Sequence, residues 1–157
     1  STNIHMLGAL REAEFDRDSA AVLKILHFLD EVSIAGAYWY DKWHVSPYYP
    51  TSHAIIACAD FCEARVENAV DWIVHTQNRD GSWGYYIPTA EETAYCLQAL
   101  TVWKRAGHRV SDEAVRRGRA WLLDHTEPPY PPLWIGKCLY CPELVVYSAV
   151  LSALYLS

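Results

Sequence analysis

Apolar residues recur along this chain with a spacing near 3.6 residues, the period of a helix that is buried on one face. Almost no segment shows the alternation of apolar and polar residues that marks a half-buried strand. Ser19, Ser52 and Ser111, the last followed by Asp112, are placed as helix N-caps, and the proline-rich run 128–132 ends the sixth helix. The pattern predicts seven helices, at residues 4–13, 18–31, 51–62, 65–77, 90–106, 111–125 and 143–156.

Two of these helices carry the same pattern. Residues 69–75 and 118–124 align with Trp72 and Trp121 in register, and residues 22–28 form a looser copy. A repeat of roughly 45 to 50 residues is typical of stacked helical hairpins, in which each unit buries its apolar face only against its neighbours. The predicted fold class is therefore all-α, built from antiparallel helical hairpins.

The connections between the predicted helices alternate in length. Long connections follow the second, fourth and sixth predicted helices, and short ones follow the first, third and fifth. In antiparallel hairpins the long connections therefore all lie at one end of the array. Functional groups favour such loops and the helix starts that follow them. We therefore expect the functional site at that end, around residues 43–53, 91–95 and 134–140.

The composition adds an excess of aromatic side chains. The 157 residues are 52% hydrophobic and include seven Trp and eleven Tyr, more than the core of one small domain requires. The net charge is -6, and basic residues are scattered apart from Arg116, Arg117 and Arg119, which we interpret as a solvated helix face. This distribution argues against a nucleic-acid partner. Without a long apolar run or a signal-like N-terminus, the chain is expected to be soluble and cytoplasmic.

The five cysteines lie mostly in apolar helical stretches and are expected to be reduced thiols. Cys138 and Cys141 have CxxC spacing, and Cys58 and Cys62 share a helix face. No second CxxC and no histidine pair completes a four-ligand zinc site. The sequence therefore assigns no zinc site within this chain.

Residues 77–83 combine a glutamine, an Asp-Gly turn and a tryptophan, at Gln77, Asp80, Gly81 and Trp83. Asp-Gly predicts a tight turn, because glycine adopts positive φ freely. The Gln77 amide is placed to bond backbone groups at a neighbouring helix end and to lie on the Trp83 indole. We interpret the segment as a structural clamp between hairpins, the alternative being an ordinary polar loop.

This segment resembles the QW motif of the terpene cyclases, and residues 89–100 resemble the inner helix that follows that motif. Further stretches are similar to the C-terminal part of bacterial class II diterpene cyclases, of the copalyl or halimadienyl diphosphate synthase type. These stretches are residues 1–10, residues 41–44 with 48–49, and residues 128–130 with 132–135. The resemblance implies that residues 1–157 are the C-terminal portion of a terpene cyclase β domain, about half of an (α/α)6 toroid.

The resemblance also implies an activity. In these enzymes a buried carboxylic acid in a DxDD-like motif protonates geranylgeranyl diphosphate, and carbocations then close a bicyclic diphosphate. The acid and most Mg²⁺ and diphosphate contacts are expected upstream of this chain, which alone is expected to be inactive. Asp16 and Asp18 lie in a turn at the wrong end to be that acid. The resemblance gives Asn3 the role of orienting the acid, the alternative being a cap of the first helix.

Aromatic faces stabilise carbocations in a dry pocket, although any one aromatic residue here is equally suited to packing between hairpins. His44 and His53 are candidates for accepting the final proton or binding the diphosphate. Glu91 and Glu92 are candidates for binding Mg²⁺, or else helix caps, and Lys137 is a candidate for a phosphate contact. The predicted substrate-binding residues are Trp43, His44, Tyr48, Tyr49, His53, Glu92, Tyr95, Trp134 and Tyr140.

A half-ring is expected to expose apolar faces of its inner helices, at Ile55, Ile56, Leu97 and Leu100. The expected partner for those faces is the remaining N-terminal half of the cyclase or a self-association partner. The alternative function is a catalytically inactive helical-hairpin module that binds another protein through this inner face. A prenyltransferase-like zinc toroid does not fit, because its Asp, Cys and His ligand set is missing.

Overall fold

The computed structural model describes residues 1–157 and consists of seven α-helices and one two-stranded antiparallel sheet. A short 3-10 helix, Glu63–Arg65, follows the third α-helix. All seven predicted helices are confirmed, with ends within about four residues of the predicted ones. The helices are α1 (Thr2–Glu12), α2 (Ala20–Val32), α3 (Tyr48–Cys58), α4 (Glu67–His75), α5 (Ala90–Arg105), α6 (Asp112–Leu123) and α7 (Glu143–Leu156), and the strands are β1 (Trp134–Ile135) and β2 (Leu139–Tyr140).

The N-cap predicted from the sequence is confirmed for α6 but not for α3. Ser111 caps α6 by accepting a hydrogen bond from the Ala114 N–H at 3.2 Å. Helix α3 begins earlier than expected, after Pro47, so Ser52 lies buried inside the helix and its prediction as a cap is wrong. Pro50 is tolerated because it lies in the first turn, where backbone N–H groups have no intrahelical partner.

The helices pack as a row with flanking partners. The odd-numbered helices α1, α3, α5 and α7 contact one another in chain order, and α2, α4 and α6 each pack against the odd-numbered helix that precedes them. This is the alternation of inner and outer helices that the hairpin repeat predicts, and it is the arrangement of an α/α toroid. None of the helices has the length and apolar character needed to cross a membrane.

The core lies between the packed helices and includes residues that were expected to be exposed. Ile55, Leu97 and Leu100 have no accessible surface, and Ile56 is half-buried against the same core. The expectation that these four residues form exposed inner faces is therefore wrong. Helices α3 and α5 are buried around most of their circumference, polar residues included, so the sequence pattern does not show which side meets a neighbouring helix.

Exposed apolar surface is instead prominent on α7. Val146, Val150 and Ala153 are buried against the rest of the chain, whereas Leu144 and Tyr155 are 81% and 88% exposed. The helix carries apolar residues on all sides but is packed on one. Part of the aromatic and aliphatic excess seen in the composition therefore lies on the surface of this last helix.

Residues 77–83, referred to below as the clamp, hold α4 against α6 through polar groups. The Gln77 amide nitrogen donates to the carbonyl oxygens of Gly81 at 2.8 Å and of Ala114, in α6, at 2.9 Å. Asp80 closes the turn by accepting hydrogen bonds from the backbone and hydroxyl of Ser82. The side chain of Gln77 therefore spans from the end of one hairpin to the start of the next outer helix.

The apolar part of the clamp is Trp83, which has no accessible surface. Its indole N–H donates to the carbonyl oxygen of Ile73 in α4 at 2.8 Å. Its backbone N–H donates to the Thr93 hydroxyl in α5 at 2.9 Å. A Cβ at Gly118 in α6 would lie 2.6 Å from the Trp83 ring, so the indole also fixes the approach of α6. One residue thus contacts three helices.

Arg117 belongs to this contact as well, which corrects its interpretation as part of a solvated face. Its guanidinium donates to the carbonyl oxygens of Asn78 at 2.7 Å and of Arg79 at 2.5 Å. Arg116 and Arg119 are exposed, and Arg116 pairs with Glu113 on the same helix. The side of the helix on which each arginine lies decides its role.

We predict that Gly81→Ala destabilises the protein more than Gly107→Ala. Both glycines have positive φ, +100° and +94°, but a Cβ at Gly81 would lie 2.6 Å from the Arg117 carbonyl oxygen, whereas nothing lies within 4 Å of one at Gly107. Backbone strain alone costs about 1–2 kcal/mol, and the steric conflict at Gly81 adds about 1–3 kcal/mol. Urea unfolding measures both losses, and equal losses would show that the clamp is not closely packed.

Candidate functional site

The three long connections meet at one end of the helix row. The Val45 N–H, before α3, donates to the carbonyl oxygen of Leu133, before α7, at 2.9 Å. The Tyr40 hydroxyl, also before α3, donates to the Tyr85 hydroxyl, before α5, at 2.6 Å. These contacts confirm that the long connections share one end, which is where the N-terminal turns of the inner helices lie.

A buried glutamate occupies the centre of this end. Glu91 lies in the first turn of α5 and is 1% exposed. Its Oε1 accepts hydrogen bonds from the Trp134 indole at 2.7 Å, the Tyr95 hydroxyl at 3.1 Å and the His44 Nε2 at 3.3 Å. Its Oε2 is buried and has no hydrogen-bond partner in the chain. One carboxylate oxygen therefore fixes aromatic side chains from three separate parts of the chain.

His44 is oriented through both of its ring nitrogens. Its Nδ1 lies 3.1 Å from the Ser46 backbone N–H and 3.3 Å from the Ser46 carbonyl oxygen. The shorter contact makes Nδ1 an acceptor, so Nε2 carries the hydrogen that is donated to Glu91. Neither nitrogen of His44 is free to bind another group.

The rings around Glu91 form a continuous packed group, the Tyr49 cluster. The Tyr49 ring stacks on His44 with centroids 5.0 Å apart, and it meets the edges of Trp134 at 5.0 Å and Tyr95 at 5.3 Å. Burial raises the pKa of Tyr49 to about 12 and also raises the pKa of Tyr95, so both phenols stay neutral at pH 7. The cluster comprises His5, His44, Tyr49, His53, Tyr95 and Trp134.

The cluster is completed by two histidines from neighbouring inner helices. His5 Nε2, in α1, lies 3.1 Å from the Tyr49 hydroxyl, and the rings of His5 and His53 lie 5.0 Å apart. Burial lowers the pKa of His53 to about 4 and also lowers the pKa of His5. Both imidazoles are therefore uncharged at neutral pH, and the cluster is a packed group of rings bonded to one acidic side chain, Glu91.

Asn3 lies in a separate cleft of about 310 Å³, which is also lined by Asp41 and Trp43 and by none of the cluster residues. Ser1 occupies the N-cap position of α1, so Asn3 is inside the first turn and does not cap the helix. Trp43 is half exposed, and the Lys42 ammonium lies 4.6 Å from its ring centroid. The role of Asn3 in orienting an acid stays a prediction.

Four predicted substrate-binding residues are not brought into the cluster. Trp43 lines the cleft that contains Asn3. Tyr48 packs on Trp72 in the main core, with ring centroids 4.9 Å apart. Glu92 accepts hydrogen bonds from the Thr89 hydroxyl at 2.6 Å and the Tyr85 N–H at 2.9 Å, in a helix-capping arrangement. Tyr140 lies half exposed on β2, opposite Trp134. Substrate binding by all nine predicted residues stays a prediction.

The residues present do not fit a magnesium site. Both carboxylate oxygens of Glu92 are occupied by the helix cap, and the Oε1 of Glu91 is occupied by three aromatic donors. No group of three His, Cys, Asp or Glu side chains is arranged to hold a metal ion.

Sequence reasoning missed the central role of Glu91 and the participation of His5. Glu91 was considered only as a magnesium ligand or a cap. Its spacing of four residues from Tyr95 on one helix carried a usable signal, since side chains at that spacing share a face. Nothing in the sequence pairs His5 with Tyr49, because that contact depends on the packing of α1 against α3.

Comparisons with known proteins show which family this chain resembles. Residues 2–129 match the family described as the squalene-hopene cyclase C-terminal domain. Over 99% of its length the chain is 47% identical to a type B diterpene cyclase of Mycobacterium tuberculosis, and over 98% it is 39% identical to an ent-copalyl diphosphate synthase of Streptomyces sp. strain KO-3988. It covers 32% of each of these relatives.

The fold is similar to that of a solved structure. The ent-copalyl diphosphate synthase from Streptomyces platensis superposes with a TM-score of 0.83 and 37% identity, over 99% of this chain and 32% of that one. The chain therefore spans about a third of the length of the relatives that it matches.

We predict that Glu91→Ala destabilises the protein by roughly 3–6 kcal/mol, because it leaves buried donors on His44, Tyr95 and Trp134 without an acceptor. Glu113→Ala is the matched control, since Glu113 is exposed and pairs only with Arg116, which is worth about 0.5 kcal/mol. Urea unfolding compares the two variants. Similar small losses would contradict the central role of Glu91.

A second prediction concerns acid sensitivity. The pKa of His53 is lowered from 6.5 to about 4 in the folded chain, so the unfolded chain binds an extra proton between those pH values. The free energy of unfolding that depends on neutral His53 is fully present above pH 6.5. It is lost as the pH falls towards 4, to a total of roughly 3 kcal/mol. His53→Asn should flatten the pH dependence of unfolding by that amount, whereas His75→Asn, on the exposed face of α4, should leave it unchanged.

Proposed function

The chain belongs to the squalene-hopene cyclase C-terminal domain family, and we propose that it is the C-terminal part of the catalytic domain of a class II diterpene cyclase. The proposed reaction is the protonation of geranylgeranyl diphosphate and its cyclization to a bicyclic diterpenyl diphosphate. Relatives named as a diterpene cyclase and as copalyl diphosphate synthases support this proposal. The single observation that carries it is the Tyr49 cluster, held by Glu91 at the end where the long connections meet.

The cluster has the chemistry that a carbocation requires. The faces and edges of Tyr49, Tyr95 and Trp134 are polarisable, and the electron-rich faces attract positive charge by about 2 kcal/mol each when water is excluded. The phenols and the imidazoles of His5 and His53 are neutral and add no positive charge to oppose it. Glu91 holds the rings in fixed orientations, so the wall need not reorganise when charge develops.

The proton source is proposed to lie in a part of the enzyme outside this chain. The relatives are about three times as long as the region matched, which leaves room for a DxDD-like segment. The Asn3 amide, in the cleft lined by Asp41 and Trp43, is proposed to orient that acid. Any magnesium that accompanies the diphosphate is assigned to residues beyond this chain, and the clamp is interpreted as a QW motif.

The alternative is a catalytically inactive helical-hairpin module that binds another protein. The exposed apolar side chains of α7, such as Leu144 and Tyr155, favour this alternative. A large exposed apolar surface is typical of a protein contact, but that contact is equally expected with the rest of a cyclase. The two functions therefore differ in catalysis and not in whether α7 is covered.

The test is an assay of the full-length polypeptide that contains this chain, with geranylgeranyl diphosphate and Mg²⁺. We expect a bicyclic product that retains its diphosphate. Trp134→Leu should lower kcat roughly 30-fold through the loss of about 2 kcal/mol of cation stabilisation, while Trp134→Phe, which keeps an aromatic face, should lower it less. Release of free diphosphate, or no product from a folded polypeptide, would contradict the proposal, and an inactive homodimer would favour the alternative.

A further inference from the structure

His53 differs from the other histidines of the Tyr49 cluster because its hydrogen bond fixes the free ring nitrogen as an acceptor. Its Nδ1 lies 2.8 Å from the carbonyl oxygen of Tyr49, one turn earlier on α3. A carbonyl oxygen only accepts, so Nδ1 carries the hydrogen and Nε2 carries a lone pair. No group of the chain forms a hydrogen bond with Nε2. The ring lies between those of His5 at 5.0 Å and Tyr95 at 5.3 Å.

The neighbouring histidines are used differently. His44 accepts from Ser46 through Nδ1 and donates to Glu91 through Nε2. His5 Nε2 is occupied by the Tyr49 hydroxyl. The Nδ1 of His5 has no partner, but a hydroxyl both donates and accepts, so this contact does not fix which His5 nitrogen carries the hydrogen. Within the cluster, His53 is therefore the imidazole whose free nitrogen is fixed as an acceptor.

The protonation state of His53 distinguishes the two roles that the sequence left open, which are accepting the final proton and binding the diphosphate. Burial lowers the pKa of His53 to about 4, so the ring is neutral at pH 7 and offers a lone pair rather than an N–H. A diphosphate oxygen needs a hydrogen-bond donor or a positive charge, and His53 offers neither at Nε2. A proton acceptor needs only the lone pair, and a weak base is sufficient because a C–H bond beside a carbocation is strongly acidic.

We propose that His53 Nε2 accepts the proton that ends the cyclization. In this step the C–H bond next to the carbocation breaks, its electron pair forms the new C=C bond, and the proton binds Nε2. The positive charge passes from the substrate to the imidazole, and no oxidant or reductant is required. The Tyr49 carbonyl oxygen remains bonded to Nδ1–H and stabilises the imidazolium. This inference rests on the proposed function.

Two histidine variants test the proposal in the full-length polypeptide. His53→Asn keeps an N–H that reaches the Tyr49 carbonyl oxygen but removes the basic nitrogen. His75→Asn is the matched control, because His75 makes the same contact one turn back, from Nδ1 to the Asp71 carbonyl oxygen at 2.7 Å, on the exposed side of α4. Product identity is measured together with kcat and KM for geranylgeranyl diphosphate.

We expect His53→Asn to form the normal alkene at least ~10-fold more slowly and to accumulate a hydroxylated bicycle or an isomeric alkene, with KM little changed. His75→Asn should match the wild type. An unchanged product at an unchanged rate in His53→Asn would overturn this inference while leaving the proposed function in place. A wild-type polypeptide that forms no bicyclic product would overturn both.

A spectroscopic measurement tests the premise without activity. In the polypeptide labelled with ¹⁵N-histidine, His53 should be the neutral tautomer with hydrogen on Nδ1 at pH 7, identified by the signal that His53→Asn removes. Hydrogen on Nε2, or a charged ring, would overturn the inference. If His53→Asn fails to fold, His53→Gln replaces it in both experiments.

Discussion

The burial of Trp83 is the constraint from which the rest of this structure follows. Its indole and backbone N–H groups bond α4 and α5 at Ile73 and Thr93, and its ring limits how closely α6 approaches at Gly118. Thr93 is two residues from Glu91 on the first turns of α5. The contact that joins the hairpins therefore also sets the position of the carboxylate around which the site is assembled, so that stability and site geometry share one origin.

At the candidate site, one carboxylate oxygen of Glu91 orients the surrounding side chains. A carboxylate accepts several hydrogen bonds at once, and Glu91 Oε1 uses this capacity for donors on Trp134, Tyr95 and His44. Because these side chains come from α5 and from two different connections, the cluster exists only when both connections are folded. A hydrogen bond also orients His53: its Nδ1 donates to the Tyr49 carbonyl oxygen on the same helix, which leaves the lone pair on Nε2 free.

The sequence predicted the helices and five of the six residues of the Tyr49 cluster, but it did not predict which contacts they make. Glu91 and Glu92 are adjacent and look alike in the sequence, yet one binds aromatic donors and the other closes a helix cap. Successive side chains point about 100° apart around a helix, so neighbours meet different surroundings. Tyr48 and Tyr49 diverge for the same reason, one towards Trp72 and the other towards His44.

By itself, the sequence determined the helical hairpins, the clamp residues and the end at which the long connections meet, because these depend on local periodicity, turn chemistry and loop length. Only the tertiary structure decided which faces of α3 and α5 are buried, and it did so against the expectation for Ile55 and Leu97. It also decided that His5 reaches Tyr49 and that Glu91 is the central acceptor. Those contacts join residues more than forty positions apart in most cases, and only packing brings them within hydrogen-bond distance.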